Sequence, residues 1–161
     1  MLKSVIIAVD AMGGDNSPGK VIAGISEYLK KNNNVFFRIF GNSFKIEDEI
    51  KKNSIDKDNF ELIHCDDVVE NNDSPLSAAK KKKTSMWQAI NDVKQKKSNV
   101  VVSAGNTGAL FVISKLNMRM IENISKPALA ALWPNKIGMN IVLDLGANVE
   151  CDEKNFEDFA I

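Results

Sequence analysis

Three apolar runs in this chain each pass directly into a glycine-bearing loop, and that recurrence limits the fold more than any other feature. Val5-Ile6-Ile7-Ala8-Val9 leads into Asp10-Ala11-Met12-Gly13-Gly14-Asp15. Val100-Val101-Val102 leads into Ser103-Ala104-Gly105-Asn106-Thr107-Gly108. The run from Ile141 reaches Asp144-Leu145-Gly146-Ala147-Asn148. Unbroken apolar runs, without polar alternation, predict strands buried on both faces, as in a parallel sheet. Helical patterns lie between them. Val21, Ile22, Ile25, Tyr28 and Leu29 form one stripe of a helix predicted over residues 18–31, with Ser17 as N-cap and Pro18 at its first position. Residues 35–40 and 60–64 read as further strands, and residues 44–52 as a charged helix that follows the turn Gly41-Asn42.

From Ser74 the chain turns helical again, with Met86, Ala89, Ile90 and Val93 on the buried face. Residues 109–121 are apolar nearly all round and predict a helix covered on most sides. Residues 128–132 and 141–145, joined through Asn135-Lys136-Ile137-Gly138, predict an antiparallel pair. An acidic helix begins near Asp152 and ends on Phe156, Phe159, Ala160 and Ile161 without a cap or polar tail, so the chain reads as cut within an element or as half of a larger product. Strand–loop–helix repetition without a linker predicts a single α/β domain over residues 1–161, with a mostly parallel sheet covered by helices on both faces.

Composition narrows the function classes. At 161 residues, 44% apolar and 26% charged, the chain is long enough to bury about 70% of its unfolded surface, and global disorder is excluded. No apolar stretch approaches the ~18 residues of a membrane span. Cys65 and Cys151 match no CxxC spacing, which points to a reduced, cytoplasmic setting. The net charge of zero conceals a pattern: residues 80–97 carry seven lysines against Asp92 alone, on an otherwise mildly acidic chain. One basic patch argues against a general nucleic-acid binder and suits an acidic partner or an anionic membrane surface.

In an open parallel sheet, the carboxyl ends of the strands share one rim, and ligands bind in the crevice there. The three glycine loops are therefore expected to meet although they are remote in sequence. Glycines permit close backbone approach, and amides at a helix N-terminus attract anions. Ser103, Asn106 and Thr107 add short donors, so the set reads as a phosphate cradle. The alternative is that these residues only make tight turns and caps. Neither GxGxxG nor GxxxxGK[ST] occurs, which argues against a nucleotide cofactor. Asp10, Asp15 and Asp144 lack the spacing of a metal site. Lys80-Lys81-Lys82-Lys83, placed on a helix, would spray around its axis, with one or two lysines reaching the crevice. His64, the single histidine, ends a strand and reads as structural. No Ser-His-Asp set and no activated thiol is evident.

Together and in order, Asp10-Ala-Met-Gly-Gly-Asp15, Lys82-Lys-Thr-Ser85-Met86, Ser103-Ala-Gly-Asn-Thr-Gly-Ala109, Pro127-Ala-Leu-Ala130 and Asp144-Leu-Gly-Ala-Asn-Val149 with Cys151 resemble the PlsX family, the phosphate:acyl-[acyl-carrier-protein] acyltransferases. The resemblance implies a Rossmann-like α/β/α three-layer sandwich, of which this chain covers the N-terminal half. It implies transfer of an acyl group from acyl carrier protein to inorganic phosphate without a cofactor, the acyl phosphate then feeding a membrane glycerol-phosphate acyltransferase in phospholipid synthesis. It also implies a cytoplasmic homodimer working close to the membrane.

Because phosphate is itself the nucleophile, the protein has to hold it beside the thioester carbon and stabilise an oxyanion. Asn106, Thr107, Asn148 and Lys82 are the expected catalytic residues. Gly13, Gly14, Asp15, Ser85, Ser103, Gly105, Gly108, Asp144 and Gly146 are the expected binding residues. Two rival functions remain at this level. One is an inactive or split half-domain that binds acyl carrier protein or a complementary C-terminal chain. The other is a phosphotransacetylase-like enzyme that uses acyl-CoA.

Overall fold

The computed structural model describes residues 5–32 and 34–161. Expectations that fall on residues 1–4 or on Asn33 lie outside that range. The chain divides into two compact units, Met1–Asn117 and Met118–Ile161.

In the first unit, β1 (Val5–Asp10), β2 (Val35–Gly41), β3 (Phe60–His64) and β4 (Val100–Ser103) form one sheet in the order β3-β2-β1-β4. Every pairing is parallel. This is the expected Rossmann-like arrangement. Alternate residues of the central strands serve opposite faces. Val9, Val35, Phe37 and Ile39 pack with Ile22 and Ile25 of α1 (Gly19–Leu29) and with Ile46 and Ile50 of α2 (Ser43–Lys52). Ala8, Phe40 and Cys65 meet Ala89 on the other face. Ala89 belongs to α4 (Ser85–Lys94), which also shares a core with α3 (Pro75–Lys80) and α5 (Thr107–Asn117) through Ala78, Met86, Ile90, Ala109 and Ile113.

A charged pair is sealed into this second face. Arg38 of β2 grips Asp92 of α4 with Nε at 2.9 Å and Nη2 at 3.1 Å, and also pairs with Glu61, its register neighbour on β3. Asp92 takes a further hydrogen bond from Ser98 Oγ at 2.6 Å. Sequence periodicity carries no trace of this pair, because its partners are 54 residues apart.

Several expected boundaries move for local reasons. Ser17 does not cap α1. Pro18 is the N-cap and gives no side-chain bond, while Ser17 Oγ is drawn back onto the Gly13 carbonyl at 2.6 Å. The lysine run does not lie on one helix. Lys80 closes α3, Lys81, Lys82 and Lys83 form the link, and Thr84 caps α4 by accepting from the Trp87 amide. Helix α5 begins at Thr107 and ends at Asn117, short of the expected residue 121, and its cover is partial. Only Ala109 and Ile113 are fully buried, and Leu116 is 66% exposed.

The second unit holds β5 (Ala130–Asn135) and β6 (Gly138–Leu143), antiparallel as predicted and shifted from the expected bounds. Asp144 falls outside β6 because it turns to φ +55°. Helix α6 (Glu153–Ala160) starts from a capping box in which Asp152 and Asn155 each accept from the other's backbone amide. Ser125 donates to Asp158 Oδ2 from both its amide (3.0 Å) and its hydroxyl (2.8 Å), and Lys126 reaches the Glu150 carbonyl and Asn155 Oδ1.

Candidate functional site

The chain proceeds from β1 through β2 to β3 on one side and returns to place β4 on the other side of β1. The direction of winding therefore reverses between β1 and β4, where a doubly wound sheet opens a crevice at its carboxyl ends. Asp10 and Ser103 are the paired last residues of those two strands.

Asp10 is the hub. It is only 2% exposed. Its Oδ1 accepts from Ser85 Oγ at 2.6 Å and from the Met12 amide at 3.3 Å, and its Oδ2 accepts from Ser103 Oγ at 2.7 Å. Ser103 Oγ in turn accepts from the Gly105 amide at 3.2 Å. One carboxylate thus ties the end of β1, the start of α4 and the loop after β4. Hydrogen bonds to a charged acceptor each contribute about 1.5–3 kcal/mol. Ser85 is fully buried with its hydroxyl on Asp10.

The glycines let the loops reach each other. A Cβ at Gly13 would lie 2.7 Å from Asp10 Oδ2 and 2.8 Å from the Gly105 amide nitrogen. At Gly14, φ is +88° and a Cβ would lie 2.7 Å from the Ala104 carbonyl oxygen. The structure therefore bears out convergence for the loops at residues 10–15 and 103–108. Gly108 faces Pro75 at the start of α3, so a third segment closes on the same rim.

Asn106 binds this segment. Its Oδ1 caps α5 by accepting from the Ala109 amide at 3.0 Å, and its Nδ2 donates to the carbonyls of Asn71 and Asp73, both at 3.2 Å. Asp73 receives Lys81 Nζ on both oxygens at 2.8 and 2.7 Å. The bond from Lys81, helped by the Glu70 amide, holds the Asp73 carboxyl below the usual range. The side chain of Asn106 is thus fully engaged in shaping the rim. Thr107, by contrast, is exposed. Among the described residues no partner takes its hydroxyl, its amide or the amide of Gly108. These groups lie in the first turn of α5, where the helix dipole favours an anion. Asp15, Lys82 and Lys83 are exposed as well. Lys82 turns its carbonyl to Gln88 Nε2 at 2.7 Å.

The third glycine loop belongs to the second unit, where it braces itself. Asn148 donates to Asp144 Oδ1 from its amide at 3.2 Å and from Nδ2 at 2.8 Å, and Nδ2 also reaches the Pro127 carbonyl. Cys151 Sγ donates to Asp144 Oδ2 at 3.4 Å. The Asn148 bond is the main cause that holds the Asp144 carboxyl low. The Cys151 thiol is raised, first by burial and then by Asp144. Gly146, at φ +77°, completes the turn by donating its amide to the Asp144 carbonyl.

Sequence reasoning missed one constellation. Ser43 Oγ lies 2.8 Å from His64 Nδ1, and His64 Nε2 lies 3.0 Å from Asp66 Oδ1. The Ser43 amide also donates to Nδ1, which places the imidazole proton on Nε2. His64 and Asp66 are exposed and Ser43 is half-buried, and the bonds fasten the start of α2 to the end of β3. Next to it, burial, reinforced by Asp10, pushes the Cys65 thiol up to about 11, so it is inert as a nucleophile.

The model of the family described as "Fatty acid synthesis protein" matches residues 5–161. The chain is 60% identical over 162 residues to a phosphate acyltransferase of Pelagibacter ubique (strain HTCC1062), covering 100% of this chain and 48% of that protein. It is 46% identical to the phosphate acyltransferase of Neorickettsia sennetsu, covering 98% of this chain and 47% of that protein. For the phosphate acyltransferase of Caulobacter vibrioides the values are 42%, 100% and 45%. The chain spans about half the length of these relatives.

Proposed function

Since this chain belongs to the fatty acid synthesis protein family, called PlsX above, we propose that it supplies the phosphate-holding rim of an enzyme that moves an acyl group from acyl carrier protein to inorganic phosphate. The observation that carries this reading is the open first turn of α5, set where two glycine loops are locked together at the reversal of strand order. That turn offers an anion the Thr107 hydroxyl with the Thr107 and Gly108 amides. The names of the relatives add the reaction class.

In this reading a phosphate oxygen attacks the thioester carbon. The C–O bond forms, the C–S bond breaks, and the electron pair leaves on the pantetheine sulfur. A thiol with a pKa near 8.5 is a good leaving group, so no enzyme nucleophile is needed. The task of the protein is to hold phosphate in line and offer donors to the developing oxyanion. Thr107 and the first-turn amides hold the anion. Asn106, Asp10, Ser85 and Ser103 keep those donors in place. Lys82 and Lys83 offset charge, and with Lys94, Lys96 and Lys97 they steer the acidic carrier protein. The acyl phosphate passes to a membrane glycerol-phosphate acyltransferase, and the full-length protein works as a cytoplasmic homodimer. No helix among the described residues is long and apolar enough to cross a membrane.

The test is acyl phosphate formation from acyl carrier protein thioester and phosphate. It uses this chain alone and this chain continued by the remaining residues of the Pelagibacter relative. Thr107→Ala should lower turnover at low phosphate by about a hundredfold, with folding unchanged. Reversing Lys82 and Lys83 to Glu should weaken carrier binding most at low salt. Normal turnover by Thr107→Ala at limiting phosphate would overturn the assignment.

A further inference from the structure

We propose that Ser43, His64 and Asp66 form a second reactive site, in which the Ser43 hydroxyl is a nucleophile toward small activated acyl esters. The backbone builds this site. Strands β2 and β3 run parallel with Gly41 opposite His64, and the Cys65 amide donates to the Gly41 carbonyl at 2.9 Å. Gly41, at φ +156°, lets the chain leave β2 tightly against its neighbours, where a Cβ would lie 2.7 Å from Met12 Cγ and 2.9 Å from Ile46 Cδ1. Asn42 then caps α2 by accepting from the Lys45 amide at 3.2 Å. Ser43 is thereby delivered to the imidazole at the end of the neighbouring strand.

The order of the hydrogen bonds is that of a proton relay. His64 Nε2 donates to Asp66 Oδ1 at 3.0 Å, which leaves the lone pair on Nδ1, and Nδ1 lies 2.8 Å from Ser43 Oγ. A hydroxyl is a weak nucleophile until an adjacent base takes its proton, and a base oriented by a third group is the arrangement that does so. Capping does not call for the imidazole, because Asn42 already caps α2. Ser43 also stands where a strand passes through a tight turn into a helix, and sites of that kind use the amide of the residue after the nucleophile to meet an oxyanion. That residue is Phe44. The Ser43 amide donates to Nδ1 and the Lys45 amide to Asn42, whereas no partner takes the Phe44 amide among the described residues.

The surroundings set the class of substrate. The side chains of His64 and Asp66 are 43% and 75% exposed, so nothing encloses a large molecule. Phe44 is exposed and meets His64 edge to face, with ring centroids 6.2 Å apart, which gives a short acyl group an apolar surface beside the base. A site with so little wall has little binding energy to spend, and the donor has to bring its own good leaving group. Oγ bonds to the acyl carbon as its proton passes to Nδ1. The bond from that carbon to the leaving oxygen breaks, and the leaving oxygen takes the proton from Nδ1. Water then attacks the acyl-serine by the same route, which releases the acid and restores the hydroxyl. Asp66 is a positioning residue that holds the ring in the reactive tautomer. Cys65, between His64 and Asp66, is buried and does not compete. None of these groups belongs to the phosphate-holding rim, so either activity can fail while the other stands.

The experiment treats this chain, and this chain continued by the remaining residues of the Pelagibacter relative, with a fluorophosphonate at neutral pH. Attack on it forms an Oγ–P bond and expels fluoride, and the adduct is located by mass spectrometry of peptides. The rate of p-nitrophenyl acetate hydrolysis is measured in parallel. The folded, unsubstituted protein should carry the adduct on Ser43. His64→Gln should slow both reactions by about a hundredfold, the usual share of a general base, and Asp66→Asn by on the order of tenfold. Ser43→Ala should abolish the adduct and the ester hydrolysis with the circular dichroism spectrum unchanged. Absence of a Ser43 adduct from both unsubstituted proteins would overturn the proposal. So would labelling of His64→Gln at the unsubstituted rate, because the hydroxyl would then react through exposure alone.

Discussion

The two units of this chain are held together by opposite means. The first is organised by apolar burial: Ile22, Ile39, Ile46, Met86, Ile90 and Ile113 are fully enclosed, and its polar groups enter the core only when several donors meet them, as at Asp10 and Asp92. The second is braced by polar side chains. Asn155 and Asp158 are its buried groups, while Leu132, Met139 and Ile141 share one face of the β5–β6 hairpin at 65%, 59% and 70% exposure. A strand pair whose apolar face is open gains little from the hydrophobic effect. Its order comes instead from the antiparallel ladder and from Ser125, Lys126, Asp144 and Asn148. The lesson is that apolar sequence alone does not say where a core is, because a core needs a second surface.

Substitutions can break or sharpen this contrast. The largest effect is expected at Arg38→Ala. It strands the buried Asp92 carboxylate and should cost the first unit about 3–5 kcal/mol in urea unfolding. A loss under 1 kcal/mol would mean that the second face of the sheet does not depend on the pair.

Next comes one substitution made twice. Ile39→Ala should cost about 2–5 kcal/mol, whereas Ile141→Ala should stay within about 0.5 kcal/mol. A large loss at Ile141 would show that the hairpin face is covered in solution.

The smallest effect is local and depends on pH. The carboxyls of Asp144 and Asp158 are held below their ordinary value of 3.8, by Asn148 and by the Ser125 amide respectively. A lowered folded-state pKa contributes stability that is present above the ordinary value and lost as pH falls through the folded one. The protection of the α6 amides against hydrogen exchange, taken relative to their intrinsic rate at each pH, should therefore fall on acidification below pH 3.8, and Asp158→Asn should flatten that response. Protection at α6 that ignores pH in the unsubstituted chain would remove the carboxylates from the account of the second unit.

Much of the fold was legible in the residues. The runs at Val5, Val35, Phe60 and Val100 announced parallel strands, and the hairpin was read from its turn. Strand ends and helix periodicity are local properties, and one stretch of chain carries them. The family match at Asp10-Ala-Met-Gly-Gly-Asp15 and Ser103-Ala-Gly-Asn-Thr-Gly was legible for the same reason. What those residues do was less so. Asn106 reads as a ligand donor and proves to be occupied on both ends of its amide. Ser85 reads as a phosphate contact, yet its hydroxyl is buried against Asp10. Ser17 reads as a cap and instead closes its own loop. In each case the partner is a backbone group or carboxylate whose direction depends on how the chain folds.

Residue types and their spacing by themselves determined that the strands would lie side by side in parallel and that glycine would punctuate their carboxyl ends. Only the tertiary structure decided that β4 pairs beside β1, so that Asp10 and Ser103 end adjacent strands, and that Gly13 presses on Gly105 at a distance no side chain tolerates. The reason is geometric: pattern along a chain encodes which surfaces are apolar and where the backbone can turn. Which hydroxyl reaches which carboxylate depends on contacts between residues up to 93 positions apart.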